Sequence, residues 1–177
     1  SNEEYVVITS GDSIYKMDYK KVIREHVAKG ADITVVYQKM AGKDLSKFGV
    51  MEMDAEGRLV GFEEKPEQPK SDAASLGIYV ISRTLLINLL EQAIPEGKYD
   101  LVKDIIIRFI PTLKIYGYEY GGYWNSVGAG TAAYFAANMD FLNKEVRDHF
   151  VSEYPYIDTK PKDEPPAKFN RGADVKD

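Results

Sequence analysis

The sequence predicts an α/β fold with a mainly parallel sheet and one antiparallel hairpin, on three observations. Short β-branched apolar runs alternate with longer segments whose apolar residues recur at helical spacing. The runs Tyr5-Val6-Val7-Ile8-Thr9, Ile33 to Tyr37 and Leu76 to Ile81 are apolar almost throughout, as in strands covered on both faces. Between the second and third runs, two strand-like segments flank Asp54-Ala55-Glu56-Gly57, a hairpin signal in which Gly57 is free to take positive φ.

The elements follow in order. Tyr5 to Thr9 predicts a buried strand that runs into a loop at Ser10-Gly11-Asp12. Asp18 to Lys29 predicts a helix with Val22, Ile23 and Val27 on one face, ended by Gly30. Ile33 to Tyr37 is a second buried strand. Phe48 to Met53 and Arg58 to Glu63 form the hairpin. Leu76 to Ile81 is the next strand, after which Ser82 caps a helix carrying Leu85, Leu86, Leu89, Leu90 and Ala93, stopped before Pro95. A second helix runs from Asp100 through Leu101, Ile105 and Phe109 to Pro111. Lys114 to Tyr120 alternates like a strand, and Ala129 to Leu142 is a last long helix. From Tyr154 the chain holds Pro155, Pro161, Pro165 and Pro166 among charges, the composition of an extended linker. The boundaries are therefore one domain over residues 3–153 and a linker over 154–177.

Composition narrows the class. In 177 residues, 44% are hydrophobic and 29% charged, enough apolar chain for a real core. A net charge of -5 argues against a general nucleic-acid surface, while leaving room for a local basic spot that takes one phosphate. With no cysteine there is no disulfide framework or thiolate metal site, which fits a cytoplasmic protein. No apolar stretch is long enough to span a bilayer, so no membrane partner is expected. A strand beginning directly after Ser1-Asn2 suggests a chain cut from something longer.

Three segments could carry chemistry. In Ser10-Gly11-Asp12-Ser13-Ile14-Tyr15, Asp12 follows a buried strand beside a glycine, where a Mg²⁺ ligand for a nucleotide phosphate could sit. An aspartate capping the next turn explains the same residues. In Gly61-Phe62-Glu63-Glu64-Lys65-Pro66, a glutamate can accept from sugar hydroxyls while a neighbouring lysine holds a phosphate as a point charge. A solvated charge cluster is the plain alternative. In Tyr123-Trp124-Asn125-Ser126-Val127-Gly128, the single tryptophan could stack on a sugar or nucleotide, or simply be buried.

Taken together, these segments with Phe48-Gly49-Val50, Ala74-Ser75-Leu76-Gly77-Ile78-Tyr79 and Asp100-Leu101-Val102-Lys103-Asp104 closely resemble the bacterial glucose-1-phosphate adenylyltransferases. The resemblance runs from about Tyr5 to Phe169. It implies a Rossmann-like nucleotidyltransferase sheet, truncated in its N-terminal half, with Pro165-Pro166-Ala167-Lys168-Phe169 leading toward a missing C-terminal β-helix. It implies conversion of ATP and glucose 1-phosphate to ADP-glucose and pyrophosphate, for glycogen synthesis. Asp12 is then a metal ligand with Mg²⁺ as cofactor. Glu64 and Lys65 hold the sugar phosphate, and Gly49, Ser75, Tyr79, Asp100 and Trp124 shape or contact the sugar pocket. The glycine-rich nucleotide loop is not in this chain, so by itself it is expected to bind ATP weakly and to be inactive.

One departure changes the expected role. Catalytic members carry an aspartate where this chain has Ser126, and a hydroxyl is a poor replacement for a carboxylate on Mg²⁺. Ser13 stands where a histidine is common. These changes resemble the regulatory, GlgD-type subunit, so the implied partners are a catalytic adenylyltransferase subunit, glucose 1-phosphate and ATP. A homo- or hetero-oligomer is expected, since lost neighbouring strands leave an unpaired sheet edge. An active fragment and an α/β assembly module without sugar-phosphate binding are the alternatives.

Overall fold

The computed structural model describes residues 3–157. Their contacts divide the chain into two compact units. The first comprises the chain up to Ser10 with Tyr19–Gly121, and the second Gly11–Asp18 with the chain from Gly122.

In the first unit, β1 (Tyr5–Thr9), β3 (Ile33–Lys39), β4 (Gly49–Met53), β5 (Leu59–Glu64), β6 (Ala73–Ser82) and β7 (Ile115–Glu119) form one sheet. The order is β5-β4-β6-β3-β7, and β1 lies against β6 on the edge away from β3. The α/β class and the hairpin are as expected, with Gly57 at φ 79° in its turn. The sheet is mixed, however: β3 and β7 pair in parallel, whereas β6 runs antiparallel to β1, β3 and β4. Continuous apolar runs speak to coverage of both faces, which β3 and β6 have, whereas the expected buried strand β1 is only half-buried, with Thr9 exposed. Direction depends on the connections, and β3 reaches β6 through a hairpin, without a crossover helix.

The core gathers Ile33, Val35, Met51, Leu59, Phe62, Ile81, Leu89, Ile105, Ile106 and Ile115. Helix α1 (Tyr19–Ala28) buries Val22 and, one turn on, His26, while Val27 is 53% exposed. The expected apolar face was therefore misplaced by one residue. His26 fits because its Nδ1 lies 2.8 Å from Thr34 Oγ1 of β3 and Tyr5 packs against its ring at 5.3 Å. A buried imidazole with a partner can occupy a core position that hydropathy assigns to valine.

Ser82 caps α2 (Arg83–Ala93) as predicted, its hydroxyl accepting from Leu85 N at 3.2 Å. Pro95 falls in a 3-10 turn, Ile94–Glu96. The segment after Asp100 is a π-helix, Leu101–Ile107, in which the consecutive Ile105 and Ile106 are both buried. The expected α-helix to Pro111 thus ends earlier and has wider turns.

In the second unit, β2 (Ser13–Tyr15) and β8 (Trp124–Ser126) pair antiparallel. These three-residue strands are too short to show any periodicity in sequence. Helix α3 (Thr131–Asp140) is shorter than the predicted Ala129 to Leu142, and a further helix, α4 (Lys144–Val151), follows. The rings of Tyr123, Phe141 and Phe150 pack together with centroids 5.0 to 6.2 Å apart. Lys16 is buried, and its Nζ donates to the Glu153 carbonyl at 2.7 Å. The expected linker beyond Ile157 lies outside the described residues. No helix among the described residues is long and apolar enough to cross a membrane.

Candidate functional site

In the first unit the antiparallel ladder sets Gly49 of β4 opposite Glu64 of β5. A Cβ at Gly49 would overlap the Phe62 ring, with Cε1 at 2.6 Å, and would stand 3.1 Å from Glu64 Oε2. Only glycine leaves that carboxylate and ring where they are. Lys65 follows with φ 51°, the one non-glycine residue with positive φ among those described. Its N–H still donates to Phe48 O at 2.9 Å, so the ladder continues through a backbone conformation that side chains disfavour. Its exposed Nζ lies 3.8 Å from Glu64 Oε1.

A bulge in β6 contributes the next two groups. The register with β3 shifts between Val36 and Tyr37, and Gly77, at φ 68°, is one of the residues passed over. Ser75 and Tyr79 flank it, both buried, and their side chains hydrogen-bond to each other. Ser75 Oγ also accepts weakly from Gly77 N, at 3.4 Å. Burial raises the Tyr79 phenol above its usual pKa; the Ser75 bond opposes this, and the charges of Glu64 and Asp100 add to it. Asp100 also caps the π-helix, its Oδ1 accepting from Val102 N and Lys103 N, each at 2.9 Å.

Ser75 and the charges of Glu64 and Asp100 thus all act on the Tyr79 phenol, and Glu64 lies against the Gly49 floor and the exposed Lys65 ammonium. Carboxylates and hydroxyls suit a polyol, and an ammonium at the edge suits its phosphate. Sequence reasoning missed the flanking ion pairs, in which Lys70 reaches Glu63 at 2.9 Å and Glu52 at 3.7 Å. A separate cleft of about 330 Å³, lined by Asp54, Arg58, Leu59, Val60, Ile110 and Pro111, holds none of the predicted site residues.

The second unit carries Asp12, Trp124 and Ser126. Asp12 is exposed at the start of the β2–β8 ribbon, and its carbonyl accepts from Val127 N at 2.8 Å. A Cβ at Gly128 would collide with the Asp12 carboxylate, so glycine there lets the two segments close on each other. Ser13 pairs with Ser126, which puts the hydroxyl beside Asp12 in the ribbon. That hydroxyl accepts from Gly128 N at 3.3 Å and so braces its own loop. Among the described residues no three Asp, Glu, His or Cys side chains are grouped to hold an ion. Asp12 beside an engaged hydroxyl offers Mg²⁺ a single carboxylate, the fewest with which a magnesium site that also uses substrate phosphates is built. Sequence also did not signal that Tyr123, Asn125 and Asp140 are tied together behind Trp124, because Asp140 lies on a different element.

Residues 1–144 match a family model described as nucleotidyl transferase. A glucose-1-phosphate adenylyltransferase of Thermomicrobium roseum is 37% identical over 172 residues, covering 96% of this chain and 40% of that protein. One from Thermosipho africanus is 37% identical over 177 residues, covering 99% of this chain and 43% of that protein. The chain therefore spans less than half the length of these relatives. With a strand–hairpin scaffold that carries the family's motifs in order, and a family match over most of its length, the chain belongs to the nucleotidyl transferase family.

Proposed function

We propose that this chain is the sugar-phosphate half of a glucose-1-phosphate adenylyltransferase, in its regulatory rather than its catalytic form. The intact protein would be cytoplasmic, would bind glucose 1-phosphate and ATP, and would work in an oligomer with a catalytic subunit in glycogen synthesis. Glu64, Tyr79, Ser75 and Asp100 would take the sugar hydroxyls over Gly49. Lys65 would neutralise the phosphate. A magnesium ion held by a pair of carboxylates would supply positive charge at the α-phosphate of the nucleotide. This chain offers Asp12 alone, so its own magnesium site would be weak or absent.

The observation that carries the reading is the contrast between the two sets of residues. The groups suited to a sugar phosphate gather around Tyr79, while Ser126 uses its hydroxyl to brace Gly128 beside a single carboxylate. Retention of Asp12 favours a second reading, an active enzyme that meets its metal needs differently. Assay of the full-length protein with ATP, Mg²⁺ and glucose 1-phosphate separates the two. The regulatory reading expects almost no ADP-glucose from the protein alone and a rise in turnover when a catalytic subunit is added. Robust turnover by the pure protein would replace it with the second reading. Calorimetry showing no glucose 1-phosphate binding by the full-length protein would overturn both in favour of an assembly module.

A further inference from the structure

The tip of the β4–β5 hairpin is carried across to β7. Gly117 N donates to Gly57 O at 2.9 Å, Arg58 pairs with Tyr116 in an antiparallel bridge, and Arg58 Nη2 donates to Leu113 O at 3.4 Å. The cleft of about 330 Å³ lies beside this crossing, wholly within the first unit. Leu59, Val60, Ile110 and Pro111 give it an aliphatic wall, and Asp54 and Arg58 are its charged lining residues. Asp54, Val60 and Pro111 are exposed, Val60 at 56%, so the cleft is open to solvent. Concave sites of this size, with apolar walls and a few convergent polar groups, suit small molecules.

The two charges are not spent on each other. Asp54 Oδ1 accepts from Glu56 N at 3.1 Å and from Arg58 N at 2.8 Å, which fixes the turn and leaves Oδ2 without a partner among the described residues. The half-buried Arg58 guanidinium makes only the long contact with Leu113 O, and no ion pair among the described residues. Arg108, by contrast, is paired with Glu96 at 2.9 Å. A guanidinium fork takes a carboxylate through two parallel bonds, and a carboxylate oxygen takes an ammonium. A simple anion would also meet Asp54, and a simple cation would also meet Arg58, in each case a like charge that disfavours it.

We propose that this cleft binds a free aliphatic amino acid, with its carboxylate on Arg58, its ammonium on Asp54 Oδ2 and its side chain against Val60 and Ile110. A zwitterion meets both charges at once, and the aliphatic wall suits a leucine-like side chain. None of these residues belongs to the sugar-phosphate set, so the inference stands apart from that reading.

Leucine is the probe, titrated into the full-length protein and followed by saturation-transfer NMR. Binding at about millimolar affinity or tighter is expected. Isocaproate lacks the ammonium, isoamylamine the carboxylate and glycine the side chain, and each should bind at least about fivefold more weakly. Asp54→Asn keeps the Oδ1 acceptor that the turn uses, and Arg58→Gln keeps a donor for Leu113 O. Each should weaken leucine about fivefold or more, with an unchanged far-ultraviolet spectrum. Should Arg58→Gln not fold, Val60→Asp changes an exposed position, places a second carboxylate in the cleft and should weaken leucine by a similar factor. No binding of leucine by the wild type, or equal binding by the folded variants, would overturn the proposal. Isocaproate binding as tightly as leucine would also overturn it, since the cleft would then be a site for anions alone.

Discussion

Replacing Lys65 by glycine should leave the protein as stable or slightly more stable while weakening its hold on a sugar phosphate. Lys65 sits at φ 51°, where a side chain crowds the backbone, at a cost of roughly 1–2 kcal/mol. Glycine removes that strain but adds freedom to the unfolded chain, which offsets about 0.5–1 kcal/mol. The contact with Glu64, at 3.8 Å with the lysine side chain 64% exposed, is worth about 0.3 kcal/mol at most once solvent screening is considered. The balance is a gain of about 0.5 kcal/mol. The bond from residue 65 N to Phe48 O belongs to the backbone and survives the change. Urea unfolding of Lys65→Gly beside the wild type measures the stability, and calorimetry with glucose 1-phosphate the affinity, expected to fall about tenfold or more. Lys65→Ala is the control: it loses the charge and keeps the strained backbone, so its affinity should fall without a gain in stability. A loss of about 1 kcal/mol or more in Lys65→Gly would show that the left-handed conformation is not strained. A stabilised variant with unchanged affinity would show that the strain has no connection with the ligand.

Gly49→Ala should destabilise the first unit by about 1–3 kcal/mol, because its Cβ overlaps the buried Phe62 ring; urea unfolding with an unchanged midpoint would contradict this. Asp100→Ala should lose about 0.5–2 kcal/mol by uncapping Val102 N and Lys103 N. Asp100→Ser should restore the stability but not the sugar affinity, which separates the two roles in one pair of melts and titrations. Burial holds His26 below its ordinary pKa of 6.5, against a smaller opposing pull from Asp32. The unfolded chain therefore takes up this proton first, and stability should fall as pH drops from about 6.5 toward the folded-state pKa, with a limiting slope of about 1.4 kcal/mol per pH unit. His26→Gln should flatten that part of a pH-dependent unfolding series.

Local signals in the sequence were enough wherever one element carried its own information. Ser82 before a leucine-rich run determined the start of α2, Asp54 to Gly57 determined the hairpin, and the order of motifs pointed to the family. Glu64 beside Lys65 was legible because both lie in one short segment. What tertiary structure decided depended on distant partners. The direction of β6 was set by its connections, His26 entered the core because Thr34 and Tyr5 met it, and Gly49 mattered because Phe62 lies across the ladder. The same holds for Asp140, whose carboxylate is an ordinary helix-end residue until Tyr123 and Asn125 are folded against it. Sequence encodes propensity and period over neighbouring residues, so it determined the elements and the chemical types available. Pairing across the sheet and between elements is a long-range choice, and it alone determined which of those groups face one another.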